Sequence, residues 1–351
     1  MNSFRGDFLR RLPLPMSAVW LLSDIAEAKG RQSSIRAVPQ VLTTLRETAL
    51  VQSVESSNRI EGITVAPGRL RPLVLGDDRP RDRSEEEILG YRRALEKVHL
   101  HARDLAVEPR LLLDLHGMVQ EGAGDAGQWK RVDNEIVEIL SGEAPRIRFR
   151  PTPALGTAAA VEEMCLAYRA ISSEREAPPL VTLAALILDF LCIHPFRDGN
   201  GRVSRLLTLL ALYQNDHEVG RFVSLERLIE ESRGDYYEAL RKSSEGWHEG
   251  KHDLLPWLHY FLAVIRRAYN ELETQVGEAT GFPRGAKTAQ VEAAIARIPG
   301  DFTLADLERA CPGASRELAR RILRRMSDAG QVESLGRGPG ARWRRRHGDQ
   351  S

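Results

Sequence analysis

The sequence predicts a mainly α protein. A large helical body carries one small β-hairpin, and a small C-terminal domain follows in the order of a winged helix-turn-helix. Three observations carry this. Apolar residues recur at three- and four-residue spacing through most of 16–276. The stretch 127–153 breaks that rhythm with two short alternating runs around a Gly/Pro turn. Beyond the Gly-rich 277–285, three short helical patterns precede a strand, a turn and a strand.

In chain order, helical spacing first covers Met16 to Lys29 and Val38 to Ile60. It resumes from Ser84 to Asp104, where Ser84 followed by Glu87 three residues later reads as a capping box. Glu108 to Met118 and Leu155 to Ser172 continue the pattern. Val181 to Ile193 is apolar nearly all round, which marks a buried central helix. Arg202 to Gln214, Tyr236 to Ser243 and Leu254 to Val276 close the body. The hairpin runs are Asn134 to Ile139 and Arg146 to Phe149 around Ser141–Pro145, and such a hairpin alone is as readily a loop closure as a working part. In the tail, helices are expected at Ala289 to Ile298, Thr303 to Cys311 and Ser315 to Ala329, then strands within Gly330 to Trp343. This gives an N-terminal helical region over 1–80, a core over 81–276 with its hairpin at about 134–150, a linker over 277–286 and a tail domain over 287–347.

Composition narrows the class. With 351 residues and 42% hydrophobic content the chain is ordinary for a globular protein, and no apolar run approaches the ~20 residues that span a bilayer. The first residues lack the basic-then-apolar order of a secretory signal. Cys165, Cys192 and Cys311 are too scattered for a disulfide framework or a metal cluster. A cytoplasmic protein with no membrane partner is expected, and a dimer is compatible with these features. The net charge of +1 hides an asymmetry: Pro283 to His347 holds fourteen Arg or Lys against seven Asp or Glu, so a basic tail follows a mildly acidic body.

Chemistry concentrates between His194 and Arg205. Pro195 stops the preceding helix just after His194. Asp198-Gly199-Asn200-Gly201 is a tight turn feeding the next helix, whose free N–H groups form an anion nest. Asp198 suits Mg²⁺, which takes one or two carboxylates plus substrate phosphates. Arg202 and Arg205, three apart on that helix, can grip phosphate bidentately. His194, with an ordinary pKa near ~6.5, can accept a proton at neutral pH. Simpler readings fail. An EF-hand loop would put Arg202 at a ligand position and Leu209 at the bidentate acid, and no P-loop Gly-Lys-Ser/Thr is present.

From His194 through Arg205 the chain resembles the Fic (filamentation induced by cAMP) family, whose motif is His-x-Phe-x-Asp/Glu-Gly-Asn-Gly-Arg-x-x-Arg; every fixed position matches. The resemblance implies a helical Fic core that transfers AMP from ATP to a Ser, Thr or Tyr hydroxyl of a protein, with Mg²⁺ or Mn²⁺. By position, it implies that His194 is the general base, Phe196 anchors the loop and Asp198 binds the metal. Gly199, Asn200 and Gly201 then cradle the α- and β-phosphates, Arg202 assists, and Arg205 holds the γ-phosphate. The hairpin falls where the family has a flap that pairs with a target segment, making Ile136, Val137, Ile139, Ile147 and Phe149 docking candidates. Tyr236 and Tyr237 lie in a segment resembling the adenine pocket, although core packing explains them equally well. Gly90–Leu95 and Leu115-His116 read as packing, and His248, His252 and His259 as surface or structural.

Upstream, Ser57-Asn58-Arg59-Ile60-Glu61-Gly62 ends a long helix with Gly as its C′ residue. Beside the motif it resembles the family's inhibitory helix, here about 44–62. The resemblance implies that Glu61 pairs with Arg205 and denies it to ATP. The same glutamate, in a reverse role, could activate water for AMP removal, and the sequence leaves that direction open. In the tail, Arg316, Arg320, Arg321, Arg324 and Arg325 line the candidate recognition helix, with Arg337, Arg342, Arg344, Arg345 and Arg346 around the wing. That surface suits DNA phosphates, while protein docking stays open as the alternative. A DNA-binding regulator whose enzymatic site is secondary or self-directed is the second function class.

Overall fold

The structure is a computed structural model that describes residues 2–35, 39–66, 68–76, 78–138, 146–279, 286–298, 300–311, 316–336 and 341–345. The chain divides into two compact units, Met1–Thr274 and Gln275–Ser351.

In the first unit the helices are α1 (Met16–Ile35), α2 (Pro39–Ile60), α3 (Leu70–Leu75), α4 (Arg83–His101), α5 (Pro109–Val119), α6 (Thr157–Glu174), α7 (Pro179–Ile193), α8 (Asn200–Gln214), α9 (Leu225–Glu231), α10 (Arg233–Ser244) and α11 (Leu255–Ala279) up to Thr274. The core centres on α7 and α8. All of α7 is buried except Pro179 and Leu191, as its all-round apolar sequence requires. It packs on α6 and α8, while α4 and α5 cover the other side of α8. The N-terminal helices belong to this unit, with α2 lying against α4 and α9.

Asp189 is the one carboxylate within α7, and it is fully buried. It accepts from Ser3 Oγ at 2.6 Å and Trp247 Nε1 at 2.6 Å. Burial pushes this carboxyl above the usual carboxylate range, those donors offset part of that push, and they tie the chain's first residues to the helix that ends at His194.

The hairpin forms as expected. Strand β1 (Ile136–Glu138) pairs antiparallel with β2 (Arg146–Phe149), with Ile136 opposite Phe149 and an irregularity between Ile136 and Val137. The expected turn at 141–145 and the docking candidate Ile139 lie outside the described residues.

Several local expectations are corrected. Asp82, not Ser84, caps α4, accepting from the Glu85 amide at 2.9 Å. A carboxylate at that position also complements the helix dipole. Glu87 is thereby free for another role. Helix α11 runs through Gly277 to Ala279, so the interruption starts later than 277. The loss of ~1 kcal/mol from one helical glycine is small beside burial of Leu272 and Val276 on the same face. The short α3 and α9 give too few residues for a periodic signal.

In the second unit α12 (Ala286–Arg297), β3 (Phe302–Thr303), α13 (Leu304–Ala310), α14 (Arg316–Asp328), β4 (Val332–Ser334) and β5 (Arg342–Arg345) follow in order. The strands form one antiparallel sheet in the order β3-β5-β4. Thr303 caps α13 with a full capping box to Asp306. Val291, Ile295, Phe302, Leu307, Ile322 and Leu323 make a separate core. Among the arginines, Arg337 and Arg346 lie outside the described residues.

Candidate active site

The site is built where α7 ends and α8 begins. The chain leaves α7 in a left-handed turn at His194 (φ 50°, ψ 62°). A non-glycine residue holds that conformation only when its surroundings fix it. Pro195 supplies no N–H, so the helix cannot continue. Gly199 (φ 77°) provides the second left-handed residue just before α8.

Phe196 is fully buried and anchors the loop between them. His116 stacks on it with ring centroids 3.8 Å apart. Asn200 closes the loop with its own side chain, accepting from the Phe196 amide at 2.9 Å and donating to the Phe196 carbonyl at 2.8 Å. It can therefore meet a phosphate only through its backbone. The Gly127 amide donates to His116 Nδ1 at 3.0 Å, so Nε2 carries the ring proton and donates to the Asp198 carbonyl at 3.1 Å.

A cavity of about 150 Å³ opens beside this loop. Glu61, His194, Gly201, Arg205, Tyr236 and Tyr237 all line it, so residues far apart in sequence converge on one space. His194 Nδ1 faces the Leu191 carbonyl at 3.3 Å and must donate to it, which leaves Nε2 as a bare lone pair. Burial, then the nearby Lys130 ammonium, push the His194 pKa down to about 4. The ring is therefore a neutral base at physiological pH.

The end of α2 is fastened to α8. Arg205 donates from Nε to Ser57 Oγ at 2.8 Å and from Nη2 to the Ser57 carbonyl at 2.9 Å. Its Nη2 also donates to Glu61 Oε1 at 2.7 Å. Arg205 is 3% exposed and the Glu61 side chain 26%, so the carboxylate is the solvent-facing half of the pair. The left-handed Gly62 (φ 82°) ends the helix there. A Cβ on Gly201 would sit 2.1 Å from Glu61 Oε1. The carboxylate thus lies directly on the first turn of α8, the position an anion would take.

Arg202 is not part of the cavity wall. It is fully buried and donates to Glu87 Oε2 at 2.6 Å, with Asn58 Oδ1 at 3.5 Å. Its side chain ties α8 to α4 and α2. Asp198 points outward, 71% exposed, with one oxygen accepting from the Gly199 amide. No cluster of three His, Cys, Asp or Glu side chains suited to a metal occurs among the described residues. One exposed carboxylate beside a phosphate nest still fits Mg²⁺ or Mn²⁺, whose remaining ligands come from phosphates and water.

Tyr236 is buried and meets Tyr237 edge-on at 5.2 Å, with Arg148 and Arg233 over the Tyr237 ring. On the hairpin, Ile136 and Phe149 line the cavity, and Phe149 stacks on His248. Val137 and Ile147 are paired across the strands and face solvent, 49% and 44% exposed.

Residues that sequence reasoning passed over also shape the site. Glu87, given to a capping box, neutralises Arg202. Lys130 and Asn134 hold the loop after α7. Lys130 belongs to no periodic pattern and Asn134 only begins the alternating hairpin run, so the contacts alone reveal this role.

Comparison with known proteins agrees with this geometry. Residues 106–212, from just before α5 to near the end of α8, match the Fic/DOC family. A Fic family protein from Desulfovibrio desulfuricans G20 is similar in fold over 97% of this chain and 98% of its own, at 21% identity and a TM-score of 0.61. A Fic domain containing signaling protein from Bacteroides thetaiotaomicron covers 74% of this chain and 98% of its own, at 20% identity and a TM-score of 0.59. Fic-1 from C. elegans covers 73% of this chain and 71% of its own, at 20% identity and a TM-score of 0.55. With the loop from His194 to Arg205 falling inside the match, this chain carries a Fic/DOC family domain over residues 106–212.

Proposed function

We propose that the protein transfers AMP from ATP to a hydroxyl of a protein side chain and that Glu61 restrains the reaction within the same chain. The observation that carries the reading is the bare Nε2 of His194 in one cavity with the N-terminal turn of α8 and Arg205. In the reaction, the target hydroxyl oxygen attacks the α-phosphorus, its proton passes to His194 Nε2, and the bond to pyrophosphate breaks. Catalysis then rests on positioning and charge neutralisation. The first-turn N–H groups of α8 hold phosphate oxygens, and Arg205 takes the terminal phosphate once Glu61 releases it. Asp198 would hold Mg²⁺ or Mn²⁺, which neutralises phosphate charge when bound. Tyr236 and Tyr237 are suited to the base, and the paired Val137 and Ile147 offer an apolar edge to an extended target segment.

The test is labelling by α-labelled ATP. His194→Ala abolishes transfer while ATP still binds. Wild-type labelling by His194→Ala overturns the assignment of the base.

A second reading concerns the C-terminal unit, which we infer to be a winged helix that binds DNA. Its order of helices and strands supports the first part. The second is favoured by Arg320, Arg321 and Arg324, all exposed on α14 and without an ion-pair partner among the described residues. By contrast, Arg316, Arg325 and Arg344 are engaged by Glu308, Glu292 and Asp301.

A further inference from the structure

A lysine followed by an arginine, as in Lys130-Arg131, is ordinarily a solvated pair. Arg131 is exposed, but Lys130 is only 5% exposed. A buried ammonium needs acceptors, and those it finds are neutral. Its Nζ donates to Asn134 Oδ1 at 2.8 Å and to the Ile193 carbonyl at 3.2 Å. Ile193 is the last residue of α7, so its carbonyl is one of the helix-end acceptors left without an intrahelical amide. Lys130 thus caps the negative end of the helix that delivers His194.

The neighbouring contacts point the same way. The Lys130 amide donates to the Pro195 carbonyl at 2.9 Å, and Asn134 Nδ2 donates to the Phe196 carbonyl at 3.2 Å. The carbonyls of residues 193, 195 and 196 are therefore all read by the five-residue stretch 130–134. These are the contacts that surround the left-handed His194. The same stretch runs directly into β1, whose first residue, Ile136, lines the cavity.

We propose that Lys130 is a positioning residue for the base, clamping the end of α7 so that His194 is presented to the cavity and tying it to the hairpin through Asn134. The proposal rests on the reading of His194 as the base. Several charges face that imidazole: Lys130 and Arg148 disfavour its protonation and Glu61 favours it. Lys130 itself faces Asp133, and burial brings its pKa down to about 8, which leaves it mostly charged at neutral pH.

The experiment compares Lys130→Met, Lys130→Gln and Lys130→Arg in the full-length protein, with folding checked by circular dichroism. The first readout is the titration of the His194 imidazole by NMR, assigned with His194→Ala. The second is kcat and KM for ATP in labelling, measured with Glu61→Gly present in every variant. In Lys130→Met, kcat falls roughly 10- to 100-fold while KM for ATP stays within about twofold, the scale expected for a misplaced reacting group. The imidazole midpoint rises from about 4, while burial, the larger cause, still holds it below its ordinary ~6.5. Lys130→Arg restores both. Should Lys130→Met not fold, Lys130→Gln, which keeps a donor without the charge, shows the same rise in midpoint. A wild-type midpoint and kcat in either folded, uncharged variant overturn the proposal. If Glu61→Gly alone labels nothing, it is the transfer reading that fails, and the titration still decides the role of Lys130.

Discussion

Replacing Glu61 by glycine separates the two partners of Arg205. In the wild-type protein Glu61 Oε1 lies 2.7 Å from Arg205 Nη2, and the guanidinium is nearly inaccessible to water. A hydrogen bond between charged groups contributes about 1.5–3 kcal/mol. An incoming phosphate must displace that bond, so its removal strengthens productive ATP binding by roughly 10- to 150-fold at ~1.4 kcal/mol per decade. Arg205 keeps its aim in the variant because Ser57 still accepts from Nε and Nη2. The substitution also has a cost. Breaking a fully buried pair costs about 3–5 kcal/mol, but the Glu61 side chain is a quarter exposed. Solvent screening reduces the loss to roughly 1–3 kcal/mol. At ~2–4 °C per kcal/mol for a domain of this size, the Tm without nucleotide falls by about 2–12 °C. ATP with Mg²⁺ then raises Tm more in the variant than in the wild type, because it restores a counter-charge to Arg205. The assays are the initial rate of labelling by α-labelled ATP and thermal melts with and without nucleotide. Equal labelling rates and equal nucleotide-induced Tm shifts in the two proteins refute the competition between Glu61 and phosphate.

Two further outcomes are expected. Burial pushes His99 down to about 3 and His116, His194, His217 and His252 down to about 4. Their folded-state pKa lies below the ordinary ~6.5, so the unfolded chain binds protons more readily. The stabilisation is complete above that value and is lost as pH falls toward 4, at up to ~1.4 kcal/mol per pH unit for each ring. The denaturation midpoint therefore drops steeply below pH 6, and a flat profile from pH 7 to 5 contradicts rings held neutral. For the C-terminal unit, binding to duplex DNA weakens with salt, and Arg320→Ala, Arg321→Ala and Arg324→Ala together reduce the log–log slope by about 3. No binding by the full-length protein at low salt rules out that interface.

How much of this was legible before the structure depended on how local each signal is. The run from His194 to Arg205 is contiguous, and its proline and glycines fix the backbone within a few residues. The loop was therefore readable, as was the apolar α7 that leads into it. The pairing of Glu61 with Arg205 spans 144 residues, yet it was anticipated because both ends lie in patterns that resemble one family. Arg202 shows the limit of that reasoning. Its position in the motif suggests a phosphate ligand, but its side chain goes to Glu87, whose own sequence context pointed to a helix cap. Both residues have two chemically sound partners in the sequence, and only packing selects one. Asn200 is similar: its amide can serve a phosphate or a turn, and the need to close the loop around Phe196 takes it. Lys130 marks the opposite case, since no pattern distinguishes it from a surface lysine. Its role arises from an orphaned carbonyl 63 residues away at the end of α7. Buried polar groups must find partners, but the sequence alone does not say which ones. Side chains that act by their own chemistry, such as His194, are therefore easier to read than those that act by satisfying another group.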